Sequence, residues 1–349
     1  RYFETICARF PDHEAIVSPW QNARLSYAQL RDMTDRVAQA FLANGLEKGD
    51  RLGVWSPNRY EWIVLQMAAA RIGAILVTIN PAYRIDEARY ALTKVGCRGL
   101  VVTRSLKTSD YYAMLQELWQ GPDARGDLPE LDFVVGLDNP LPEGWLGWGD
   151  LLAGQEGSKE VAAALAATEI DDPINIQFTS GTTGAPKGAT LTHHNILNNG
   201  YFVGELLRMR ADDRLCLIVP LFHCFGLVQS VLAAFTHGAT LVLPGPSFDA
   251  GRTLDTISAE QCSILYGVPT MFISLLSEQA RNTRDLSSLR TGIMAGAPCP
   301  IETMRQVVDA LHLPEITICY GMTETSPVSF QSTPDDTLER RCTTVGVVH

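Results

Sequence analysis

The sequence predicts an α/β protein of two βαβ-rich lobes with mostly parallel sheets. Two observations carry that expectation. Short apolar runs alternate with amphipathic stretches along most of the chain, a pattern that calls for parallel strands covered by helices on both faces. The 349 residues suffice for two lobes, each with its own core, and no internal repeat of fixed period interrupts the alternation.

The elements follow in order. Ser26 to Ala43 reads as an amphipathic helix: Ser26 is a cap, Leu30, Met33, Val37, Ala40 and Phe41 form one stripe, and Gly45 stops it. Arg51 to Trp55 is a strand, Tyr60 to Ile72 a helix, Ala74 to Ile79 a strand and Asp86 to Val95 a helix, with another strand near Leu100 to Val102. From Ser105 to Thr168 prolines and glycines loosen the pattern, and Ala153 to Ala167 ends it as a short surface helix. Ile174-Asn175-Ile176-Gln177 alternates like a strand, and Thr192 to Met209 is a helix with Thr192 as its cap. Beyond it come strands at Leu215 to Val219, Ala239 to Leu243, Ser263 to Tyr266, Leu289 to Met294 and Glu315 to Cys319. Helices fill the gaps at His223 to Thr236, Arg252 to Glu260, Thr270 to Glu278 and Pro300 to Ala310.

Composition narrows the function class. With 46% hydrophobic and 19% charged residues and a net charge of −11, the chain is suited neither to nucleic acid nor to an anionic membrane surface. No apolar run reaches the roughly 18 residues of a transmembrane helix. Eight scattered cysteines, without a C-x-x-C pair, read as buried reduced thiols in a cytoplasmic protein. No targeting peptide is visible. Because the first residue is Arg1, loss of an upstream transit peptide would make the mitochondrial matrix the alternative.

The stretch with most chemistry is Phe178 to Gly188, F-T-S-G-T-T-G-A-P-K-G. Thr179, Ser180, Thr182 and Thr183 supply hydroxyls, Gly181, Gly184 and Gly188 let backbone N–H groups approach an oxyanion, and Lys187 supplies charge. A strand, this loop and then a helix is a way to hold phosphate. It is not a Walker A sequence, because Lys187 follows Pro186 instead of a glycine. A solvated turn would use the same residue types, but the order of eleven residues is harder to obtain by chance.

Thr179 to Gly188 resembles the phosphate-binding signature of the adenylate-forming superfamily, which includes acyl-CoA synthetases, luciferases and peptide-synthetase adenylation domains. Tyr320-Gly321-Met322-Thr323-Glu324-Thr325 resembles its other nucleotide motif. Met294-Ala295-Gly296-Ala297-Pro298 and Pro220-Leu221-Phe222-His223-Cys224-Phe225-Gly226 match in the same order. With T-L-T-H-H-N after the loop, the run looks most like the medium-chain fatty acyl-CoA synthetase branch. The resemblance implies two interleaved αβα lobes, the first over 50–200 with the phosphate loop at 179–188, the second over 1–49 and 201–332. It also implies the start of a small β-barrel at 333–349, with a ribose-binding aspartate, a hinge and a mobile C-terminal domain carrying a lysine beyond residue 349. These residues are thus expected to be an N-terminal part that performs little turnover alone.

The implied reaction joins a carboxylic acid to AMP from ATP, with Mg2+, and passes the acyl group to coenzyme A; a homodimer stays an open alternative. Ser180, Gly181, Thr182, Thr183, Gly184, Ala185, Pro186, Thr179 and Lys187 would hold the leaving phosphates. Glu324 would hold magnesium, Thr323 would touch the α-phosphate, Tyr320 would stack on adenine beside Gly321 and Met322, and Gly296, Ala297 and Pro298 would form the opposite wall. His223 and Phe222 would lie beside the acid, His223 as a binding group because a carboxylate needs no general base. Val268, Pro269 and Phe272 would line an alkyl pocket, with core packing an equally economical reading. A peptide-synthetase domain would carry aspartate where His223 stands. A phosphotransferase would release ADP. A nucleotide- or acyl-binding module would not turn over.

Overall fold

The computed structural model describes residues 1–154, 157–179 and 185–349. Its contacts divide the chain into two compact units, Arg1–Gln29 with Asn58–Tyr60 and Asn195–His349, and Leu30–Pro57 with Glu61–His194. The expected boundaries left all of 1–49 in the second lobe. Instead most of the helix Tyr27–Ala43 belongs with the unit that carries the phosphate loop.

That smaller unit is built on a seven-stranded sheet among the described residues, in the order Lys187–Thr192, Pro173–Thr179, Ile75–Ile79, Arg51–Trp55, Cys97–Val102, Phe133–Gly136, Leu146–Gly147. All pairings are parallel except the first, which is antiparallel. Trp55, Val77, Leu100 and Val102 pack with Leu92, Tyr111 and Leu115 of the covering helices, each with no or almost no exposed surface. The polar residues of the Ile174–Gln177 run are buried too, and they pair: Gln177 Nε2 donates to Asn175 Oδ1 at 2.6 Å, and Asn175 Nδ2 donates to the Leu76 carbonyl at 2.8 Å. The region expected to be loose holds the expected short helix as Lys159–Ala167, capped by Ser158, and two further helices among the described residues, Tyr111–Leu118, capped by Asp110, and Trp148–Leu152.

The larger unit holds nine strands: Val347–Val348, Val328–Gln331, Glu315–Gly321, Thr291–Ala295, Ile264–Gly267, Arg214–Cys216, Thr240–Val242, Glu14–Ser18 and Ala23–Ser26. The central six are parallel, and antiparallel strands finish both edges. One face packs Leu265, Met294 and Ile318 on Leu254, Phe272 and Met304 of the helices Ala250–Glu260, Pro269–Arg281 and Ile301–Ala310. Residues 333–349 form the short helix Leu338–Thr343 and a two-residue strand, Val347–Val348, that extends this same sheet.

Of two expected helices, one stands as read and one differs. Ser26 does cap Tyr27–Ala43, reciprocally with Gln29, whose N–H donates to Ser26 Oγ at 3.2 Å while the Ser26 N–H donates to Gln29 Oε1 at 2.8 Å. The helix after His223, however, is a π-helix over Phe225–Leu232 that becomes α only at Ala233–His237. No helix of the described residues is long and apolar enough to cross a membrane.

Candidate active site

The phosphate loop closes a β-hairpin. Thr179 and Lys187 are cross-strand partners at its mouth, and Thr179 Oγ1 donates to the Lys187 carbonyl at 3.5 Å. The expected strand–loop–helix is corrected here: Lys187–Thr192 is a strand, and the helix starts only at His193. Thr190 and Thr192, both β-branched, favour the extended chain. Phosphate binding would therefore draw on backbone N–H groups, hydroxyls and Lys187, not on a helix dipole. Ala185 and Lys187 are exposed. The Pro186 carbonyl accepts from the Tyr90 hydroxyl at 3.1 Å, a tether the sequence gives no sign of. Ser180, Gly181, Thr182, Thr183 and Gly184 lie outside the described residues.

The other candidate residues gather within the larger unit for a topological reason. Glu315–Gly321, Thr291–Ala295, Ile264–Gly267 and Arg214–Cys216 are neighbours and parallel, with Ala295 opposite Cys319 and Gly267 opposite Met294. Their C-terminal ends run into Met322–Thr325, Gly296–Pro298, Val268–Pro269 and the Leu217–His223 loop. The carboxyl ends of parallel strands are where α/β sheets bind ligands.

Local conformation fits each segment to that edge. Gly296 has φ of +85°, which favours glycine. A Cβ on Gly321 would lie 1.9 Å from the Pro327 carbonyl oxygen, so only glycine permits that crossing. Tyr320 is 52% exposed, which leaves its ring available for stacking. Ala297, Pro298, Met322 and Glu324 are exposed, whereas Thr323 is buried at the start of a short 3-10 turn. Among the described residues no group of three or more His, Cys, Asp or Glu could cage a metal.

His223 follows a loop fixed by Asn58, whose Nδ2 donates to the Val219 carbonyl at 2.9 Å and whose Oδ1 accepts from the Leu221 N–H at 2.8 Å. The sequence carried no signal for Asn58. The Phe225 N–H donates to His223 Nδ1 at 3.1 Å, and desolvation holds the imidazole below the usual histidine pKa. His223 is nevertheless exposed by surface area, and with Nδ1 accepting, the proton of its neutral ring sits on Nε2. Phe222 is partly buried beside it. Val268 is half-buried and faces Gly296. Pro269 is buried at the first turn of its helix. Phe272 has no exposed surface and packs in the core of the larger unit.

The family model described as AMP-binding enzyme matches residues 3–349. The medium-chain acyl-CoA ligase ACSF2, mitochondrial, of Mus musculus is 44% identical over 353 residues, covering 97% of this chain and 57% of that protein. The chain thus spans little more than half of that relative. The crystal structure of the anthranilate CoA ligase AuaEII in complex with anthranoyl-AMP superposes with a TM-score of 0.88 at 25% identity, over 99% of this chain and 63% of the other. ATP-bound MatB from Rhodopseudomonas palustris gives 0.79 at 26% identity, over 99% and 64%.

Proposed function

Since the chain belongs to the family of AMP-binding enzymes, we propose that the whole protein is an ATP-dependent acid–thiol ligase. It joins a carboxylic acid to AMP with release of pyrophosphate, then transfers the acyl group to coenzyme A. The observation that carries this reading is the placing of Thr323, Glu324, Gly296 and His223 at the carboxyl ends of adjacent parallel strands.

In this reading the carboxylate attacks the α-phosphorus while pyrophosphate leaves. Lys187 and the loop hydroxyls offset charge on the leaving group, and Thr323 donates to an α-phosphate oxygen. Glu324 would hold magnesium, which neutralises phosphate charge when bound. Neutral His223 donates from Nε2 to the acid. Tyr320 covers one face of adenine and Gly296–Pro298 the other.

A medium-chain acid is the substrate class that the ACSF2 name favours, and the same name favours a mitochondrial location over the cytoplasm. The anthranilate ligase supports an aromatic acid as the second reading. The test is pyrophosphate release by the full-length protein with octanoate, hexadecanoate and benzoate, followed by coenzyme A-dependent thioester formation. AMP as product and a preference for octanoate are expected. ADP as product, or no acid-dependent release, overturns the proposal.

A further inference from the structure

We infer that Cys224 is a positioning residue that aims the Thr323 hydroxyl at the phosphate, an inference that rests on the nucleotide-site reading above. The Cys224 side chain is 3% exposed, and its sulfur lies 3.8 Å from Thr323 Oγ1 and 3.5 Å from His223 Nδ1. It therefore touches two residues that face different parts of the reaction, one the phosphate and one the acid. Cys224 and Thr323 are 99 positions apart in sequence, brought together by the parallel order of the sheet.

The lone pair of His223 Nδ1 accepts the Phe225 N–H at 3.1 Å. Sulfur and Thr323 Oγ1 can each donate across their 3.8 Å contact; in the proposed arrangement the Cys224 S–H donates and Oγ1 accepts. A threonine oxygen that accepts one hydrogen bond keeps its own hydrogen for another acceptor, and an anionic phosphate oxygen is such an acceptor. Burial also pushes the thiol up to about 11, so the hydrogen stays on sulfur at neutral pH. Without the thiol, the Thr323 hydroxyl would rotate among its staggered positions and donate to phosphate for part of the time only.

Two variants of the full-length protein test this. Cys224→Ala removes the donor, and Cys224→Ser keeps one. Thr323 itself is unchanged in both. The expected result for Cys224→Ala is a roughly tenfold lower kcat for acid-dependent ATP–pyrophosphate exchange, with KM for the acid within about twofold. AMP affinity by calorimetry should also fall, by roughly fivefold. Cys224→Ser should recover most of both losses. A packing role alone predicts the opposite order, since serine is smaller than cysteine and no more apolar than alanine. Equal kcat and AMP affinity for Cys224→Ala and the parent protein overturn the inference, as does serine no better than alanine. If the parent shows no exchange with any acid while AMP affinity still follows the Ala–Ser pattern, the ligase reading fails and the positioning of Thr323 stands.

Discussion

The Phe225 N–H donates to His223 Nδ1 across 3.1 Å, and that bond decides what the imidazole can do. With Nδ1 acting as acceptor and the pKa held down by desolvation, the ring is a neutral donor at Nε2. A folded-state pKa below the unfolded value means that neutral form is fully present above the usual histidine range. His223 should therefore add no limb to the pH–rate profile of adenylation above pH 7, and two-dimensional ring-nitrogen spectra should show the Nε2–H tautomer. His223→Ala should raise KM for the acid about tenfold, the loss expected for one hydrogen bond to a charged group. A limb near pH 6.5–7.5 that vanishes in the variant would make His223 a base.

How much of this was legible depends on range. The helix Tyr27–Ala43 was readable because Ser26, Gln29 and Gly45 are local signals. The loop at 179–188 was readable because residue type and order carry the chemistry. Lys187–Thr192 was not, since Gly188 and Ala189 are poor strand formers and the pairing that stabilises them comes from Pro173–Thr179. The π-helix over Phe225–Leu232 hides in a run that is apolar apart from Gln229 and Ser230, where a period of 4.4 and one of 3.6 look alike. Phe272 could equally have been pocket or core by sequence, and only burial separates the two.

A second prediction concerns stability. Arg24 and Arg214 each bridge Glu14 and Glu260, at 2.7 to 2.9 Å, closing a four-membered ring across the edge of the larger sheet. The bond from Arg24 is the main reason both carboxyls are held below the ordinary 4.5. Such groups stabilise above their unfolded pKa, and the contribution is lost as pH falls through the folded value. Arg24 is half-exposed, so solvent screens its share. Glu260→Gln should cost about 1 kcal/mol at pH 7 and less below about pH 4, read from urea unfolding. An equal cost at both values would show that charge is irrelevant there.

Arg341 supplies the third. Its buried guanidinium donates to four carbonyls, those of Pro314, Ile316, Pro334 and Asp336. The fork pins the segment before Leu338–Thr343 to the strand Glu315–Gly321. Lysine has one nitrogen and cannot reach this set. Arg341→Lys should destabilise the fold by roughly 2–3 kcal/mol, since buried carbonyls lose their donors, and amide exchange in residues 334–343 should rise first. An unchanged unfolding midpoint would mean that water replaces the fork.

The last prediction separates the two charges of the candidate site by what each variant leaves intact. Lys187 is exposed at the hairpin mouth, opposite Thr179, and Glu324 is exposed at the end of the strand Glu315–Gly321. Neither belongs to a core cluster, so Lys187→Ala and Glu324→Gln should both keep the melting temperature within about 2 °C. Their kinetics should differ. Lysine offsets charge that grows on the leaving phosphates, so its loss should lower adenylation kcat by roughly a hundredfold at any magnesium concentration. A carboxylate on a hard cation acts through the cation's occupancy, so Glu324→Gln should move the half-maximal magnesium concentration up several-fold and recover part of its rate at saturation. Superimposable magnesium titrations for Glu324→Gln and the parent would leave Glu324 without a metal role, and full rate in Lys187→Ala would remove Lys187 from the chemistry. The decisive arm is magnesium rescue: if excess magnesium restores Lys187→Ala and not Glu324→Gln, the two assignments are exchanged.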